Sequence, residues 1–560
     1  LYGLELEDPS AADKVLYQDM LDALIDNKWK GDRDDWPRVL TDPQWRGVAV
    51  EKGQCSGNRC SNFSNCCFFR SRNNMEKADC IVANHDLVLA DLSLGGGIIL
   101  PPPEECIYIF DEAHHLPVKG ISHFSHYIRL KATLTWLDRI TTIFKGMTVE
   151  MGQDSELVTQ LERARLAADK TRAVLQEHLP LFQAFADNAE SANVAGDITQ
   201  HTFDQGIVTE EIRQTSHNIL LEFRDLEERL SKITDRLKDF MENDTGEVDR
   251  QTAENWFPVI GIMLTRAEAA IALWRSFSIE DHGGYAPNAR WLTYRPLGAD
   301  TEITLSSSPV MAADALTDFL WNNCFAAVLT SATLTALGTF NFLSMRSGLH
   351  DETVFKQIGS PFDFYNKGTL RIPTQGFDAS NADAHTQAII EILPELVEEN
   401  KGALALFSSR RQMQLVLQGM DEAFQYKSLS QDDHSKQELI RLHKERVDKG
   451  QTSIIFGLAS LTEGIDLPGD YCTQVIIAKI PFSVPNDPVE KTLGEWIKGQ
   501  GKNPFSEISV PEASMRLIQA SGRLLRTEKD SGSITILDER LLKKFYGKGI
   551  VNSLPPYKVE

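Results

Sequence analysis

The sequence predicts an α/β fold with two parallel sheets and a long helical insertion. Two short apolar runs, 106–110 and 326–329, each end in polar residues, as strands of a covered parallel sheet do. After residue 359, apolar runs alternate with helical patterns, which indicates a second parallel sheet. Residues 116–278, between the first two runs, are charged and have a helical period, which indicates the insertion.

Size and composition favour a multidomain globular protein. With 560 residues the chain is too long for one hydrophobic core, and it is 42% hydrophobic and 24% charged. The formal charge of −23 counts against a surface that coats nucleic acid indiscriminately, but it permits a local basic groove. No apolar run approaches the ~18 residues that a membrane span needs, so we expect no membrane segment.

A cysteine loop precedes the first sheet. Cys55, Cys60 and Cys66 lie at short spacings among Gly, Asn and Ser, and Cys67 follows directly, so Cys66 and Cys67 are alternative ligands. Zinc typically brings paired C-x-x-C knuckles or nearby His ligands, whereas an iron–sulfur cluster takes four thiolates at irregular spacing. Buried, unligated cysteines are the remaining alternative. Cys80 lies in an apolar run and is expected to be a core residue rather than the fourth ligand.

The stretch Cys106–His115 carries the chemistry around which the chain is organised. Its apolar run predicts a strand buried on both faces, and it ends in Asp111 and Glu112. Ligands of parallel sheets bind beyond the carboxyl ends of the strands, so these carboxylates stand where a nucleotide would bind. One carboxylate can hold Mg²⁺ through its water shell, and the next can deprotonate the water that attacks a γ-phosphate. The alternative is a strand that ends in a solvated acidic turn.

Helical periodicity predicts one N-terminal helix, Ala11–Ile25, and long packed helices in the insertion. The insertion forms either a small bundle or an antiparallel coiled coil, and it carries no ligand pattern, which favours a structural or clamping role. Residues 281–300, rich in Gly, Pro and Asn, are expected to be its exit linker. Two apolar stripes define the helices: Leu157, Leu161, Ala164, Ala168, Thr171 and Leu175, then Ile219, Phe223, Leu226, Leu230, Ile233, Leu237 and Phe240.

The chain returns to the first sheet through Ala326–Leu329, a predicted buried strand that runs into the hydroxyl-rich stretch Thr330–Leu334. A second parallel sheet then begins after residue 359, with helices between its strands. Its predicted strands are Ala403–Phe407, Ser453–Phe456, Gln474–Ala478 and Ser533–Leu537.

Two segments of the second sheet carry chemistry. Leu461–Pro468 places Gly464 and Asp466 in a turn past a buried strand. The segment from Gln519 to Arg526 is expected to place Gln519, Arg523 and Arg526 on one face of a single helix, because their offsets are four, three and seven. Guanidinium groups there can neutralise a γ-phosphate in the transition state. The alternative is a basic helix face that pairs with surface acids.

These motifs in this order resemble those of superfamily 2 helicases, and the cysteine loop and helical insertion resemble the XPD-like iron–sulfur branch of that family. The resemblance covers nearly the whole sequence and lies in the cysteine spacing and in the segments Ala83–Leu87, Asp111–His114, Thr330–Thr333, Ser360–Phe362, Glu463–Asp466, Gly494–Trp496, Gln519–Arg526 and Lys543–Lys548.

The resemblance implies two RecA-like motor domains, a [4Fe–4S] domain and a helical Arch domain. Motor domain 1 with the cluster loop would span 1–115, the Arch 116–300, the return to motor domain 1 301–358, and motor domain 2 359–560. The implied activity is ATP- and Mg²⁺-dependent 5′→3′ translocation on single-stranded DNA, with unwinding of duplexes, forks and R-loops. A monomer in the bacterial cytoplasm, with single-strand-binding protein as a partner, is the implied setting.

The resemblance also implies a role for each matching residue. It assigns Mg²⁺ to Asp111, the catalytic base to Glu112, and coupling of hydrolysis to movement to His114. The remaining residues follow by group: Ser331 and Thr333 link nucleotide and DNA, Gly464 and Asp466 contact nucleotide and strand, Gln519, Arg523 and Arg526 complete the ATP site, and Cys55, Cys60 and Cys66 are three of four cluster ligands.

The sequence departs from the family pattern in two ways. The phosphate loop Gly-Lys-Thr does not occur in it, and no cysteine precedes Cys55. Because the chain starts with Leu1 and both features lie upstream in the family, we expect an N-terminal truncation. The chain as given, expressed alone, is then expected to lack DNA-stimulated ATPase activity.

Two other functions remain open from the residues alone. A degenerate helicase body could serve as a non-motor scaffold that binds nucleic acid, and the sequence upstream of Leu1 would distinguish it from a motor. A related nuclease type carries an N-terminal exonuclease domain and lacks the cluster. The intact cysteine loop argues against that type.

Overall fold

The computed structural model describes residues 10–50, 53–75, 77–191, 198–242, 248–281, 286–298, 300–458, 461, 464–483 and 487–560. The chain divides into two compact units. The first unit comprises Leu1–Pro101, Ile121–Val310 and Asn486–Thr492, and the second comprises Pro102–Gly120, Met311–Pro485 and Leu493–Glu560.

The first unit begins with the predicted helix, which spans Ala11–Ile25 as expected. Ser10 starts it with a capping box, in which its hydroxyl accepts the backbone N–H of Asp13 at 3.1 Å. Met20 of this helix is buried against Trp29 and Leu40. Three shorter helices follow: Asp42–Arg46, Cys67–Met75 and His85–Ser93.

Four long helices form the core of the first unit: Leu130–Met151, Ser155–Gln183, Glu210–Glu242 and Arg250–Ser278. Consecutive helices pack against each other, which is the bundle arrangement. All thirteen residues of the two predicted apolar stripes are buried in this core, so the periodicity identified the packed faces correctly.

The last of these helices, Arg250–Ser278, is long and apolar enough by length and composition to cross a membrane. Half of its most apolar window is buried inside the protein. Its Trp256, Leu273, Trp274 and Phe277 belong to the bundle core. Such burial is typical of a core helix in a water-soluble bundle.

A five-stranded antiparallel sheet covers part of the bundle and was not predicted. Its strands, in spatial order, are His126–Arg129, Asp300–Pro309, Asn288–Leu297, Thr199–Thr202 and Glu190–Ser191. The expectation that residues 281–300 form an exit linker is therefore wrong, because Asn288–Leu297, half of this segment, is a strand. In that strand Arg290 is fully buried and paired with Asp281 at 2.6 Å. A buried charge at an inward position hides the alternation that identifies a strand.

In the second unit, the strand Ile107–Phe110 pairs in parallel with Ala326–Leu329, and these two strands form a sheet of their own in the described residues. The expectation that both strands are fully buried is wrong. Tyr108 and Phe110 are buried, but Ile107 and Ile109 are 61% and 71% exposed. An unbroken apolar run shows that a strand can be covered on both faces, but not that it is.

A seven-stranded parallel sheet forms the rest of the second unit. In spatial order its strands are Ser428–Ser430, Ser453–Leu458, Gly402–Phe407, Gln474–Ile477, Gly532–Ile536, Gly368–Arg371 and Lys558–Val559. The four predicted strands are confirmed. The three unpredicted ones are short and lie toward the two edges of the sheet.

Helices of the second unit lie before these strands and between them in the chain. The longer ones are Asn341–Ser347, Ala382–Leu396, Arg410–Gly419, Glu422–Lys427, Lys436–Asp448, Pro488–Gly499, Val510–Ser521 and Gly547–Ser553. Alternation of helices with parallel strands places every connecting loop after a strand at the same edge of the sheet.

Candidate active site

The carboxylate turn, Asp111–His115, follows the strand Ile107–Phe110 directly. Both Asp111 and Glu112 are exposed there, and the Asp111 carboxylate accepts the backbone N–H of Glu112 at 3.0 Å. Glu112 has φ 48° and ψ 43°, a left-handed conformation that side-chain-bearing residues seldom adopt. The N–H of Ala113 donates to the carbonyl of Thr330 at 3.0 Å. This bond fixes the turn against the segment after the neighbouring strand.

A serine hydroxyl joins the turn to that segment, which we call the hydroxyl loop (Thr330–Leu334). Ser331 Oγ donates to Glu112 Oε2 at 2.8 Å, and it lies 2.9 Å from His114 Nδ1. The N–H of Thr333 also reaches Ser331 Oγ, at 3.2 Å. A hydroxyl has one proton to give, so His114 Nδ1 carries a proton and donates. Ser331 Oγ is therefore hydrogen-bonded to both Glu112 and His114.

The hydroxyl loop is also bonded to the second sheet's helix Val510–Ser521. Gln519 Nε2 of that helix donates to Thr333 Oγ1 at 3.3 Å. Thr333 is buried, with 4% of its surface exposed. A hydrogen-bonded chain therefore runs from Glu112 through Ser331 and Thr333 to Gln519.

The two predicted arginines do not lie on the helix that carries Gln519, which corrects the sequence analysis. That helix ends at Ser521, and Gly522 caps it, so Arg523 and Arg526 lie in the arginine loop, Gly522–Asp530. Both side chains nevertheless meet at one atom. Arg523 Nη1 donates to the carbonyl of Ile465 at 3.1 Å, and Arg526 Nη2 donates to it at 2.8 Å.

Asp530 shapes the arginine loop, and sequence reasoning missed it. Its carboxylate accepts the backbone N–H groups of Arg526 at 2.7 Å and Thr527 at 2.8 Å, and it also accepts Gly469 N–H at 3.0 Å. Burial favours a raised pKa for Asp530, but the Thr527 hydroxyl and these N–H groups outweigh it and lower the pKa. The sequence did contain a signal for this residue, because Asp530 is a carboxylate that lies four residues after Arg526.

Gly464 and Asp466 lie in the loop that supplies the Ile465 carbonyl. Gly464 has φ 69°, which a glycine adopts without strain. Asp466 is exposed, and its Oδ1 lies 3.7 Å from Arg526 Nε. Glu463, the first residue of this motif, lies outside the described residues. The second group of candidates is therefore Asp466, Arg523 and Arg526, with Asp530 added.

In the first unit, two candidate cysteines have the same local geometry. Cys60 ends the 3₁₀ turn Gly57–Arg59, and Cys66 ends the 3₁₀ turn Phe63–Asn65, each with an extended backbone. Cys55 is exposed, and its sulfur accepts the N–H of Gly57 at 3.4 Å. An N–H directed at sulfur is typical of thiolate ligands.

The described residues contain no ready group of three or more His, Cys, Asp or Glu side chains that could hold a metal ion. Cys55, Cys60 and Cys66 thus supply suitable thiols without forming a closed site. Cys80 is exposed, which contradicts its predicted place in the core. Val82, near it in sequence, is 96% exposed, so no described residue buries this apolar run.

Paired carboxylates after one parallel sheet and paired arginines beside another define a class, the nucleotide-driven motors built on α/β sheets. Residues 393–557 match the helicase C-terminal domain family. The chain is 35% identical over 557 residues to the ATP-dependent DNA helicase DinG of Photobacterium profundum, covering 99% of this chain and 78% of that protein. It is 30% identical to the ATP-dependent DNA helicase DinG of Escherichia coli (strain K12), and the match covers 95% of this chain and 74% of that protein. The chain belongs to the DinG family of ATP-dependent DNA helicases.

Two solved structures are also similar. One XPD helicase structure has a TM-score of 0.47 at 14% identity and covers 88% of this chain and 75% of its own. The structure of S. tokodaii Xpd4 has a TM-score of 0.46 at 14% identity and covers 82% and 77%.

Proposed function

We propose that this protein is an ATP-dependent DNA helicase that moves 5′→3′ along single-stranded DNA. It unwinds duplex, forked and R-loop-like structures during DNA repair and replication. Membership of the DinG family supports the activity. The observation that carries the proposal is the Ser331 hydroxyl, which bonds Glu112 at 2.8 Å and lies 2.9 Å from His114. That arrangement connects a candidate base to the hydroxyl loop, which the Thr333–Gln519 bond joins to the second sheet.

Hydrolysis begins at the carboxylate turn. Asp111 is exposed, and its carboxylate oxygens suit Mg²⁺, which would supply charge neutralisation at the phosphates. Glu112 accepts a proton from the attacking water. Its left-handed backbone and its bond to Ser331 fix the direction of that carboxylate. The proton moves from water to Glu112 as the new oxygen–phosphorus bond forms, while the bond between the γ-phosphorus and the β–γ bridging oxygen breaks and ADP leaves.

The arginines complete the site from the second sheet. Arg523 and Arg526 both donate to the Ile465 carbonyl, and a γ-phosphate is a stronger, charged acceptor. Binding of ATP therefore competes for these guanidinium groups and releases the loop that carries Gly464 and Asp466. After phosphate leaves, the arginines return to Ile465. This exchange, together with the Thr333–Gln519 bond, couples the nucleotide state to movement.

The cysteine loop is the proposed site of a [4Fe–4S] cluster. Cys55, Cys60 and Cys66 would be three thiolate ligands, and the matching turns before Cys60 and Cys66 orient two of them. The cluster would brace the loop rather than take part in hydrolysis. Arg59, within this loop, pairs with Glu242 of the bundle helix Glu210–Glu242, so a braced loop would be joined to the helical core.

The proposed partners follow from this activity. The substrate is single-stranded DNA together with its junctions to duplex or RNA–DNA hybrid, and single-strand-binding protein is the expected protein partner. The helicase acts as a monomer in the bacterial cytoplasm.

The test is strand displacement with the purified full-length protein, ATP and Mg²⁺. Three DNA duplexes are compared: one with a 5′ single-stranded tail, one with a 3′ tail and one without a tail. The proposal predicts unwinding of the 5′-tailed duplex, and hydrolysis stimulated by single-stranded DNA. Unwinding from the 3′ tail alone would contradict the polarity. DNA binding without any stimulated hydrolysis would indicate a non-motor scaffold.

A further inference from the structure

Four aromatic rings form a cluster on the second unit, and the residues assigned to hydrolysis do not include them. Phe482 lies 5.3 Å from Phe505 and 5.6 Å from Tyr546, measured between ring centroids. Phe545 packs on Tyr546 at 5.4 Å and on Phe505 at 6.5 Å. Three of the rings are half-buried, whereas Phe545 is 78% exposed. The cluster therefore holds one aromatic ring out toward solvent.

This aromatic cluster lies at the carboxyl edge of the seven-stranded sheet. Phe482 follows the strand Gln474–Ile477, and Arg540 follows the neighbouring strand Gly532–Ile536. The Arg540 guanidinium lies over the Phe482 ring, 5.7 Å from its centroid. Ligands of parallel α/β sheets bind beyond this edge. The exposed ring of Phe545 therefore lies near the edge of the sheet at which ligands of parallel α/β sheets bind.

The chain beside the exposed ring is basic. Residues 540–548 contain Arg540, Lys543, Lys544 and Lys548 and no Asp or Glu, in a chain whose net charge is −23. Arg540 is paired with Asp538, and Lys543 with Glu539. Lys544 and Lys548 are exposed, and neither has a carboxylate of a described residue within 4.0 Å, although Lys544 lies close enough to Asp378 to contribute to the lowered pKa of that carboxyl. Two cations are therefore available to an anionic ligand on either side of Phe545 in sequence.

We infer that the aromatic cluster binds single-stranded DNA, with a base stacked on Phe545 and phosphates on Lys544 and Lys548. Proteins that hold single strands without sequence preference combine aromatic stacking with basic side chains that follow the backbone. A duplex presents no free base faces, so the surface selects the unpaired strand. The inference rests on the proposed function and adds a residue-level contact to it.

The first test replaces the exposed ring. Phe545→Ala in the full chain is expected to weaken binding of a fluorescent deoxythymidine oligomer about fivefold or more, since stacking of one base is worth at least ~1 kcal/mol. Binding of an abasic phosphodiester oligomer of equal length is expected to stay unchanged. Phe545 is largely exposed, so its removal leaves the fold intact. Tyr426→Ala is the matched control, because Tyr426 is an aromatic residue of similar exposure, 75%, that lies outside the aromatic cluster and has the Arg446 guanidinium over its ring.

The second test separates charge from stacking. The logarithm of the DNA-binding constant falls linearly with the logarithm of the salt concentration, and each phosphate contact on a single strand contributes about 0.7 to the steepness of that fall. The double variant Lys544→Gln, Lys548→Gln is therefore expected to make the fall less steep by about 1.4. Photocrosslinking of an oligomer that carries 5-iododeoxyuridine is expected to label the peptide that contains Phe545.

The outcomes distinguish this inference from the proposed function. If the unmodified protein unwinds DNA but Phe545→Ala binds the thymidine oligomer with unchanged affinity, the inference is wrong and the helicase stands. If Phe545→Ala weakens binding of the abasic oligomer as much as binding of the thymidine oligomer, Phe545 does not act by stacking on a base. If the unmodified protein neither binds single strands nor unwinds DNA, both fail together. A selective loss for the oligomer with bases supports the inference.

Discussion

The Ser331 hydroxyl donates to the Glu112 carboxylate at 2.8 Å, although 219 residues separate the two along the chain. The parallel pairing of Ile107–Phe110 with Ala326–Leu329 makes this contact possible, because it ends both strands at the same level. The proposed catalytic carboxylate, Glu112, and the hydroxyl loop are therefore neighbours by strand register. Changes on either side of this bond have separable effects.

In the full-length protein, Glu112→Gln is expected to abolish hydrolysis while ATP still binds. The amide has the size of the carboxylate but cannot accept a proton, and loss of a general base costs ~10²–10⁴ in rate. Phosphate release with and without single-stranded DNA measures the first effect, and binding of a fluorescent nucleotide measures the second.

Glu105→Gln is the matched control, because Glu105 is also exposed but precedes the same strand at its other end. It is expected to hydrolyse ATP at the unmodified rate. Near-normal turnover in Glu112→Gln would remove Glu112 from the role of base.

Ser331→Ala is expected to reduce DNA stimulation more than basal hydrolysis. Without the hydroxyl, His114 loses its acceptor and the bonded chain from Glu112 to Thr333 is broken, whereas Glu112 can still accept a proton from water. The ratio of stimulated to basal ATPase is the measurement. Ser380→Ala, in an exposed turn, serves as the control. An unchanged ratio would show that the Ser331 bonds do not transmit the DNA signal.

The elements that the sequence predicted best are those with a strong local pattern. The helix Glu210–Glu242 keeps seven predicted apolar residues in register over three heptads, and the strand Gly402–Phe407 is an unbroken apolar run. Such patterns depend on neighbours in sequence alone. Glu112 and Ser331 were also singled out from the sequence, because both follow recognisable strands, and their roles stay predictions.

The features that were missed depend on contacts between distant segments. The arginine loop leaves the helix because Gly522 caps it and Asp530 binds N–H groups as far away as Gly469. The helical spacing of Gln519, Arg523 and Arg526 contains no information about these long-range bonds, which end the helix before the arginines. Gly402 is another example: a side chain there would meet the Tyr471 carbonyl at 2.1 Å, a contact that only the folded sheet creates. Long-range hydrogen bonds, rather than local propensity, decide these positions.

Asp530→Asn is expected to slow hydrolysis at saturating ATP and to lower stability. The asparagine amide directs a donor at N–H groups that need an acceptor, and loss of charged hydrogen bonds costs about 1.5–3 kcal/mol. Arg526 then loses the backbone support that aims it. Turnover and urea unfolding of the same preparation measure both effects. Glu528→Gln, exposed in the same loop, is expected to change neither, and equal behaviour of the two variants would dismiss the positioning role.

Cys60→Ser is expected to remove iron and acid-labile sulfide from the purified protein. A [4Fe–4S] cluster contains about four of each per chain, and it needs the thiolate that the serine lacks. Absorbance near the cluster's charge-transfer band, with iron and sulfide assays, gives the readout. Cys80→Ser, at an exposed position outside the proposed ligand set, is expected to keep both elements. Zinc without sulfide in the unmodified protein would rule out the iron–sulfur assignment.

His443 is expected to make the second unit acid-sensitive. Its ring is fully buried, with Nδ1 2.9 Å from the Ser453 hydroxyl and Nε2 2.7 Å from the Tyr471 carbonyl. The carbonyl can only accept, so Nε2 carries the proton and Nδ1 accepts from Ser453. Burial lowers the pKa of His443 to about 4, and nearby Arg446 and Lys444 add to the effect against the opposing Tyr471 bond.

The direction of the pH effect follows from the neutral folded state. The unfolded chain protonates this histidine near its ordinary pKa of about 6.5, whereas the folded protein resists protonation until about pH 4. Between these values the unfolded state binds more protons, so the free energy of unfolding falls as the pH falls, by up to ~1.4 kcal/mol per pH unit. His443→Gln removes this dependence, although it also costs stability at pH 7. Urea unfolding measures the difference in the free energy of unfolding between the variant and the unmodified protein. This difference should be smaller at pH 4.5 than at pH 7 by about 2–3 kcal/mol. His350→Gln, at an exposed position, should run parallel to the unmodified protein at both pH values. A gap that stays constant for His443→Gln would mean that the buried ring does not titrate in this range.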